Sequence, residues 1–175
     1  MTKQELESCV YTYGKDIYSF CKYLTCSKQE ADDLYQDTFL TAIEQRERID
    51  STYNPKSYLL SIALRLWKNK KRKYAWRKRI VETRSLVEEK DATATITENS
   101  SPEQQLLCKE ERAAVHRAVN SLPDNQKLVI LLFYMENLTT AQIAQVLHIP
   151  PGTVLSRLHQ ARKRLQHTLE ELSYE

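Results

Sequence analysis

Leu138-Thr-Thr-Ala-Gln-Ile-Ala-Gln-Val-Leu-His-Ile-Pro-Pro-Gly-Thr-Val-Leu-Ser-Arg-Leu-His-Gln-Ala-Arg-Lys-Arg-Leu-Gln166 reads as two helices joined by a tight turn. Thr139 is a good N-cap, and Gln142 three residues on completes a capping box. Ile143, Ala144 and Leu147 then share one face. His148-Ile149-Pro150 breaks the first helix, and Pro151 suits the first turn of the second, where its missing N–H costs nothing. In the second helix Val154, Leu158, Ala161 and Leu165 form an apolar stripe. The opposite face carries Ser156, Arg157, His159, Gln160, Lys163 and Arg164. An ordinary helical hairpin with a solvated basic face has the same periodicity. The charge tips the reading toward a helix-turn-helix with a recognition helix for the major groove. From Gly152 to Gln166 there are four Lys or Arg and no acid, so the face meets phosphates without repulsion.

Working outward, the 175 residues include only two glycines and five prolines, which favours helices over a turn-rich sheet. The expectation is an all-α chain of two small helical domains joined by a flexible acidic linker. The net charge of +3 hides strong local bias. Arg65 to Arg79 holds nine basic residues and no acid, while Glu30 to Asp50 holds seven acids against two bases. Such blocks suit different partners on different surfaces. No run approaches the roughly 20 apolar residues of a membrane span, and the first residues lack an apolar signal core. The expected setting is cytoplasmic, without membrane insertion. Cys9, Cys21, Cys26 and Cys108 contain no CxxC pair and read as small core residues rather than metal ligands.

Residues 3 to 24 show an amphipathic helix through Leu6, Val10, Tyr13, Ile17, Phe20 and Leu24. Ser27 is a plausible cap for a second helix, about 29 to 46. Ala31, Leu34, Tyr35, Thr38, Phe39, Ala42 and Ile43 form its buried face, and Asp32, Asp33, Gln36 and Asp37 its polar one. Acids in a first turn favour the helix dipole, which accounts for Asp32 and Asp33 but less well for Asp37. Tyr53-Asn54-Pro55 is turn-prone. A third helix starts near Ser57, with Tyr58, Leu59, Ile62, Ala63, Leu66 and Trp67 inward. It then turns basic through Lys68, Lys70 and Arg72, with Tyr74 and Trp76 interleaved. Charge that tracks a backbone beside rings that stack on bases suits a single nucleic-acid strand.

From 81 to 102 the apolar period is lost. Val81 to Glu111 carries eight acids and three bases, and the composition is that of a linker. A fourth helix after Pro102 runs to about Ser121, burying Leu107, Ala114, Val115, Ala118 and Val119. Leu122-Pro123-Asp124 opens a fifth with Leu128, Leu131, Leu132 and Met135 inward. Thr168 to Glu175 is expected to fray. The domains expected are 1–80, the linker 81–102, and 103–175.

In this order the segments resemble the extracytoplasmic-function sigma factors, small promoter-specificity subunits of bacterial RNA polymerase. Gln29 through Ile43 looks like the family's polymerase-binding helix. Leu122-Pro-Asp-Asn-Gln126 with Leu138 through Leu165 looks like its promoter-reading domain. The resemblance implies that Asp32, Asp33, Gln36 and Asp37 dock on core RNA polymerase. It implies that Ile49, Tyr53, Arg65 and Asn69, with Lys68, Lys70 and Arg72 beside them, capture and hold the melted downstream element. It implies that Thr153, Ser156, Arg157, His159, Gln160 and Lys163 face the upstream element of promoter DNA, and that an anti-sigma factor is a partner. The chain departs from the family in several places. His148-Ile149-Pro150 replaces a common Gly-Ile-Ser turn, though His tolerates a positive φ better than most side chains. Leu155, Gln160 and Arg65 stand where Lys or Arg, Arg, and Asn are frequent.

The resemblance implies a factor that acts by binding and strain, not an enzyme, with no cofactor, metal or small-molecule substrate. The rival reading is a helix-turn-helix repressor or activator that binds duplex DNA as a dimer. To that reading the acidic helix and the aromatic-basic stretch are surplus. A nucleic-acid enzyme finds no support: there is no glycine-rich phosphate loop and no HExxH.

Overall fold

The structure is a computed structural model that describes residues 3–25, 27–45, 54–81 and 102–173. Every regular element among these is helical: α1 (Lys3–Leu24), α2 (Lys28–Glu44), α3 (Pro55–Val81), α4 (Pro102–Ser121), α5 (Asp124–Ile130), α6 (Thr140–Leu147) and α7 (Pro151–Ser173). The chain separates into two compact units, Met1–Thr93 and Ala94–Glu175.

In the first unit α1, α2 and α3 pack mutually. The spacing read from sequence supplies the core: Ile17, Phe20, Ala31, Leu34, Ala42, Leu59 and Ala63 are buried. Each large apolar side chain withdrawn this way contributes about 1.5–3 kcal/mol. Leu60 and Leu64, absent from the expected face, are buried as well, because α3 is covered by both α1 and α2. Cys9 and Cys21 are buried core residues outside any disulfide, as expected. Burial first, and Glu5 second, push the Cys9 thiol up.

Gly14 sits inside α1, where glycine ordinarily costs about 1 kcal/mol against alanine. A Cβ there would lie 3.0 Å from the Tyr35 hydroxyl, so the glycine lets α2 approach. Tyr35 is pinned in turn by edge-on rings, Tyr18 at 5.5 Å and Phe39 at 4.9 Å between centroids.

The helix starts follow capping chemistry. The Ser27 hydroxyl accepts from the Glu30 amide at 3.1 Å. α3 begins two residues before the expected Ser57: the Asn54 side chain accepts from the Lys56 amide at 3.0 Å, and Pro55 takes the first helical position. Lys56 is then tied to Asp16 of α1 at 2.7 Å.

In the second unit α7 packs against α4, α5 and α6 around Val129, Leu132, Ile143, Val154 and Ala161. The Thr139–Gln142 capping box is complete, with both reciprocal bonds present. His148 takes the left-handed conformation at φ 54°, so the turn forms without glycine.

Several expectations change. α5 does not run on as an α-helix. Leu131–Met135 form a π-helical turn, closed by Asn137 at φ 54° and by the Leu138 amide donating to the Leu132 carbonyl. α7 does not fray at Thr168 but continues to Ser173, and the i,i+4 pairs Gln166–Glu170 and His167–Glu171 lie along its last turns. Val10, Ile43 and Val115, expected inside, are exposed. Of these, Ile43 lies at the edge of its helix's apolar arc, beyond Phe39. Trp67, expected in the core, is half-buried, and the Lys71 ammonium lies 4.9 Å from its ring centroid. The linker 82–101, Ile49, Tyr53, Cys26 and the side chains of Leu107 and Cys108 lie outside the described residues.

Candidate nucleic-acid interface

α2 has its outer face because Ala31, Leu34, Thr38 and Ala42 turn the other way into the core. Asp33 and Gln36 are exposed. Asp32 and Asp37 are only partly so, and each has a partner. The Tyr18 hydroxyl donates to Asp32 Oδ1 at 2.7 Å, which holds the Tyr18 phenol above its ordinary value, with burial adding to the effect. Asp37 Oδ2 lies 2.8 Å from Lys70 Nζ of α3. Farther along the same outer stripe Leu40 is 58% and Ile43 47% exposed. The face is therefore acidic at its start and carries the apolar Leu40 and Ile43, beside the exposed Glu44, toward its end. The sequence reading missed Leu40 and placed Ile43 inside. The signal was there: Asp33, Gln36, Leu40 and Ile43 recur at helical steps on the side away from Leu34 and Ala42.

α3 changes character along its length. Its first half is core, and residues 71–79 are exposed without exception. Six of these nine are Lys or Arg, and Tyr74 and Trp76, the two aromatics among them, are 59% and 66% exposed. The expected strand-binding residues Arg65, Lys68, Lys70 and Arg72 are exposed, and Asn69 is half-buried. Arg65 donates to Gln45 at 3.2 Å, and Arg72 donates to Asn69. These bonds orient the α3 side chains. Tyr58, two turns before Arg65, has its phenol pushed up by burial, while Arg65 opposes that shift.

On α7, burial of Val154, Leu158 and Ala161 turns Ser156, His159, Gln160 and Lys163 outward, with Thr153 and Arg157 half-exposed beside them. The Ser156 hydroxyl donates to the Thr153 carbonyl at 3.0 Å, so it offers an incoming group only acceptor lone pairs. Leu155 is 57% exposed on the same side. Arg162 is committed elsewhere: it donates to the Tyr134 hydroxyl at 2.9 Å and lies over the rings of Phe133 and Tyr134. Gln160 accepts a bond from Gln126 of α5 at 3.3 Å.

Residues 9–77 match the family description "Sigma-70 region 2", and residues 112–165 match "Sigma-70, region 4". The ECF RNA polymerase sigma factor SigL of Mycobacterium tuberculosis is 31% identical over 161 residues, covering 89% of this chain and 84% of that one. The chain belongs to the ECF sigma factors. SigW of Bacillus subtilis, also an ECF RNA polymerase sigma factor, is 27% identical over 164 residues, covering 91% of this chain and 86% of that one. Among solved structures, the sigma factor RpoE of Bartonella quintana, in complex with the anti-sigma factor NepR, shares the fold at a TM-score of 0.78 and 23% identity, with 97% and 98% of the two chains covered. CnrH, in complex with the cytosolic domain of CnrY, does so at 0.68 and 18%, with 97% and 90% covered.

As an ECF sigma factor the chain binds core RNA polymerase and directs promoter recognition and transcription initiation. The helix-turn-helix of the second unit falls within the region 4 match. The acidic α2 and most of the basic α3 fall within the region 2 match. Among the described residues no helix is long and apolar enough to cross a membrane.

Proposed function

We propose that this sigma factor divides its work among three helices. α2 docks on core polymerase through Asp32, Asp33, Gln36 and Asp37, extended by Leu40 and Ile43. α3 holds the melted downstream strand through Arg65, Lys68, Asn69, Lys70 and Arg72, with Ile49 and Tyr53 ahead of it in the sequence. α7 reads the upstream element through Thr153, Ser156, Arg157, His159, Gln160 and Lys163. The observation that carries this division is the end of α3. Residues 71–79 are exposed throughout, two-thirds basic and carry two exposed aromatic rings, a composition that suits a partner. Phosphate neutralisation and base stacking are what such a surface supplies.

The mechanism is binding, with no bond made or broken by the chain. Contacts of α3 to the unpaired strand offset an unstacking cost of about a few kcal/mol per base. The upstream contact fixes where along the duplex that happens. Domains 1–80 and 103–175 joined by the linker 81–102 make the two DNA contacts parts of one tethered event. The setting is the cytoplasm, where polymerase is. An anti-sigma factor is the natural partner of the free form, and the exposed Leu40 and Ile43 offer it an apolar edge.

Site-specific photocrosslinkers at Asp33, Trp76 and His159, in a complex with core polymerase on a promoter, test the division. Asp33 is expected to capture the largest polymerase subunit, Trp76 the melted strand and His159 duplex DNA. Capture of DNA by Asp33, or of duplex DNA alone by Trp76, would overturn it.

A further inference from the structure

We propose that Gln126, outside the recognition helix, is a positioning residue that decides which end of the Gln160 amide faces the DNA. This rests on the placement of α7 against the upstream element. Gln126 is the third residue of α5 and only 4% exposed. Its Nε2–H donates to Gln160 Oε1 at 3.3 Å, across 34 residues of sequence. Its own Oε1 is buried with no hydrogen-bond partner. A half-satisfied buried amide burdens the fold, and an apolar side chain of the same size would remove that burden. The contact with Gln160 is thus what the glutamine supplies at this position.

The consequence lies in the chemistry of the outward end. A free glutamine presents both a donor and an acceptor, which is how it matches adenine. Gln160, exposed on the outer stripe, is held by its oxygen. Its amide nitrogen, with two N–H donors, is turned toward the groove. Two donors match the N7 and O6 acceptors of guanine best and the single O4 of thymine next. They find no acceptor on the cytosine edge. The adenine pairing a free Gln160 would favour is weakened, because the oxygen that would accept from adenine N6 is engaged.

The test uses the full chain with core polymerase, selecting from a promoter library randomised over the upstream element. The wild type is expected to enrich guanine or thymine and deplete cytosine at one position, and Gln160→Ala to level that position alone. Gln126→Leu is expected to melt no lower than wild type, yet to lose about fivefold or more of the discrimination at that same position, the smaller end of what a good base contact supplies. Gln126→Glu places an acid in the first turn of α5, where the helix dipole tolerates it. Its carboxylate accepts from the Gln160 amide nitrogen and turns the Gln160 oxygen outward. Enrichment should then swing to cytosine or adenine, whose amino groups donate.

If Gln126→Leu keeps the wild-type preference, or loses stability and all positions together, the residue is merely structural and the proposal falls. Should the leucine variant not fold, the glutamate variant decides, and an unchanged preference there overturns it. If Gln160→Ala itself changes nothing, the placement of α7 fails, and the positioning role fails with it.

Discussion

Asp37 Oδ2 of α2 and Lys70 Nζ of α3 lie 2.8 Å apart, joining the acidic face assigned to polymerase to the basic length assigned to DNA. Both side chains are about half exposed, so the pair is worth about 0.2–1 kcal/mol and does not hold the unit together. Its residues remain available to larger partners.

That relationship separates docking from folding. Asp33→Lys with Asp37→Lys should abolish competition for core polymerase and alter stability by no more than about 1–2 kcal/mol. The exchange Asp37→Lys with Lys70→Asp re-forms the intramolecular pair with its charges reversed. It should melt like wild type and still fail to dock. Urea melts and competition against a labelled sigma factor measure both quantities. Normal docking by the exchanged variant would remove Asp37 from the polymerase face.

Lys163 is exposed on α7 and brings charge without the paired donor and acceptor of an amide. Lys163→Ala should weaken promoter binding alike on all sequences and lower the slope of log affinity against log salt by about one. Fluorescence anisotropy of the polymerase complex across a salt series measures it. A changed base preference with an unchanged slope would contradict the assignment.

The tether should matter for function and not for folding. Cleavage at a protease site engineered near Ala94 should leave the circular dichroism nearly unchanged, because each compact unit keeps its own core. It should collapse promoter-specific initiation, since the second DNA contact loses the effective concentration the linker provides. Equal initiation by cut and intact protein would exclude tethering from the mechanism.

High pH should undo the first unit through its tyrosines. The phenols of Tyr18, Tyr23, Tyr35 and Tyr58 are held above the ordinary value of 10.0, Tyr18 first by its bond to Asp32 and the other three first by burial. The folded chain therefore binds these protons more tightly than the unfolded one. The stability they represent is complete below the unfolded value and is lost as pH rises through the folded values. Near-UV circular dichroism should fall together with phenolate absorbance above pH 10. Phenolate appearing at the ordinary value, with the tertiary signal intact, would contradict those shifts.

What was legible in the sequence was whatever is local. The Thr139–Gln142 capping box, the tolerance of His148 for a positive φ and the Ser27 cap depend on residues within a few positions, and all form. The apolar steps of α1, α2 and α7 named most of the core. The exceptions there are Val10 and Ile43, and Ile43 lies at an arc edge, where burial depends on how far the next helix extends. The π-helical turn escaped because Leu131 and Leu132 suit an α-helical period equally well. The tail of α7, expected to fray from Thr168, is held by acids that pair at i,i+4. Least legible were the bonds that orient the site: Tyr18–Asp32, Lys56–Asp16 and Gln126–Gln160 join residues 14, 40 and 34 apart. No periodicity brings such pairs together. Only the packing of helices does.

Initiation in a defined system tests the central claim most directly. Core polymerase, the full chain and promoters selected from a random library should give specific start sites only when all three are present. The chain alone should bind the same duplexes weakly, and as a monomer. Tight two-fold binding of the chain alone to duplex DNA, with no start sites gained when core polymerase is added, would contradict it.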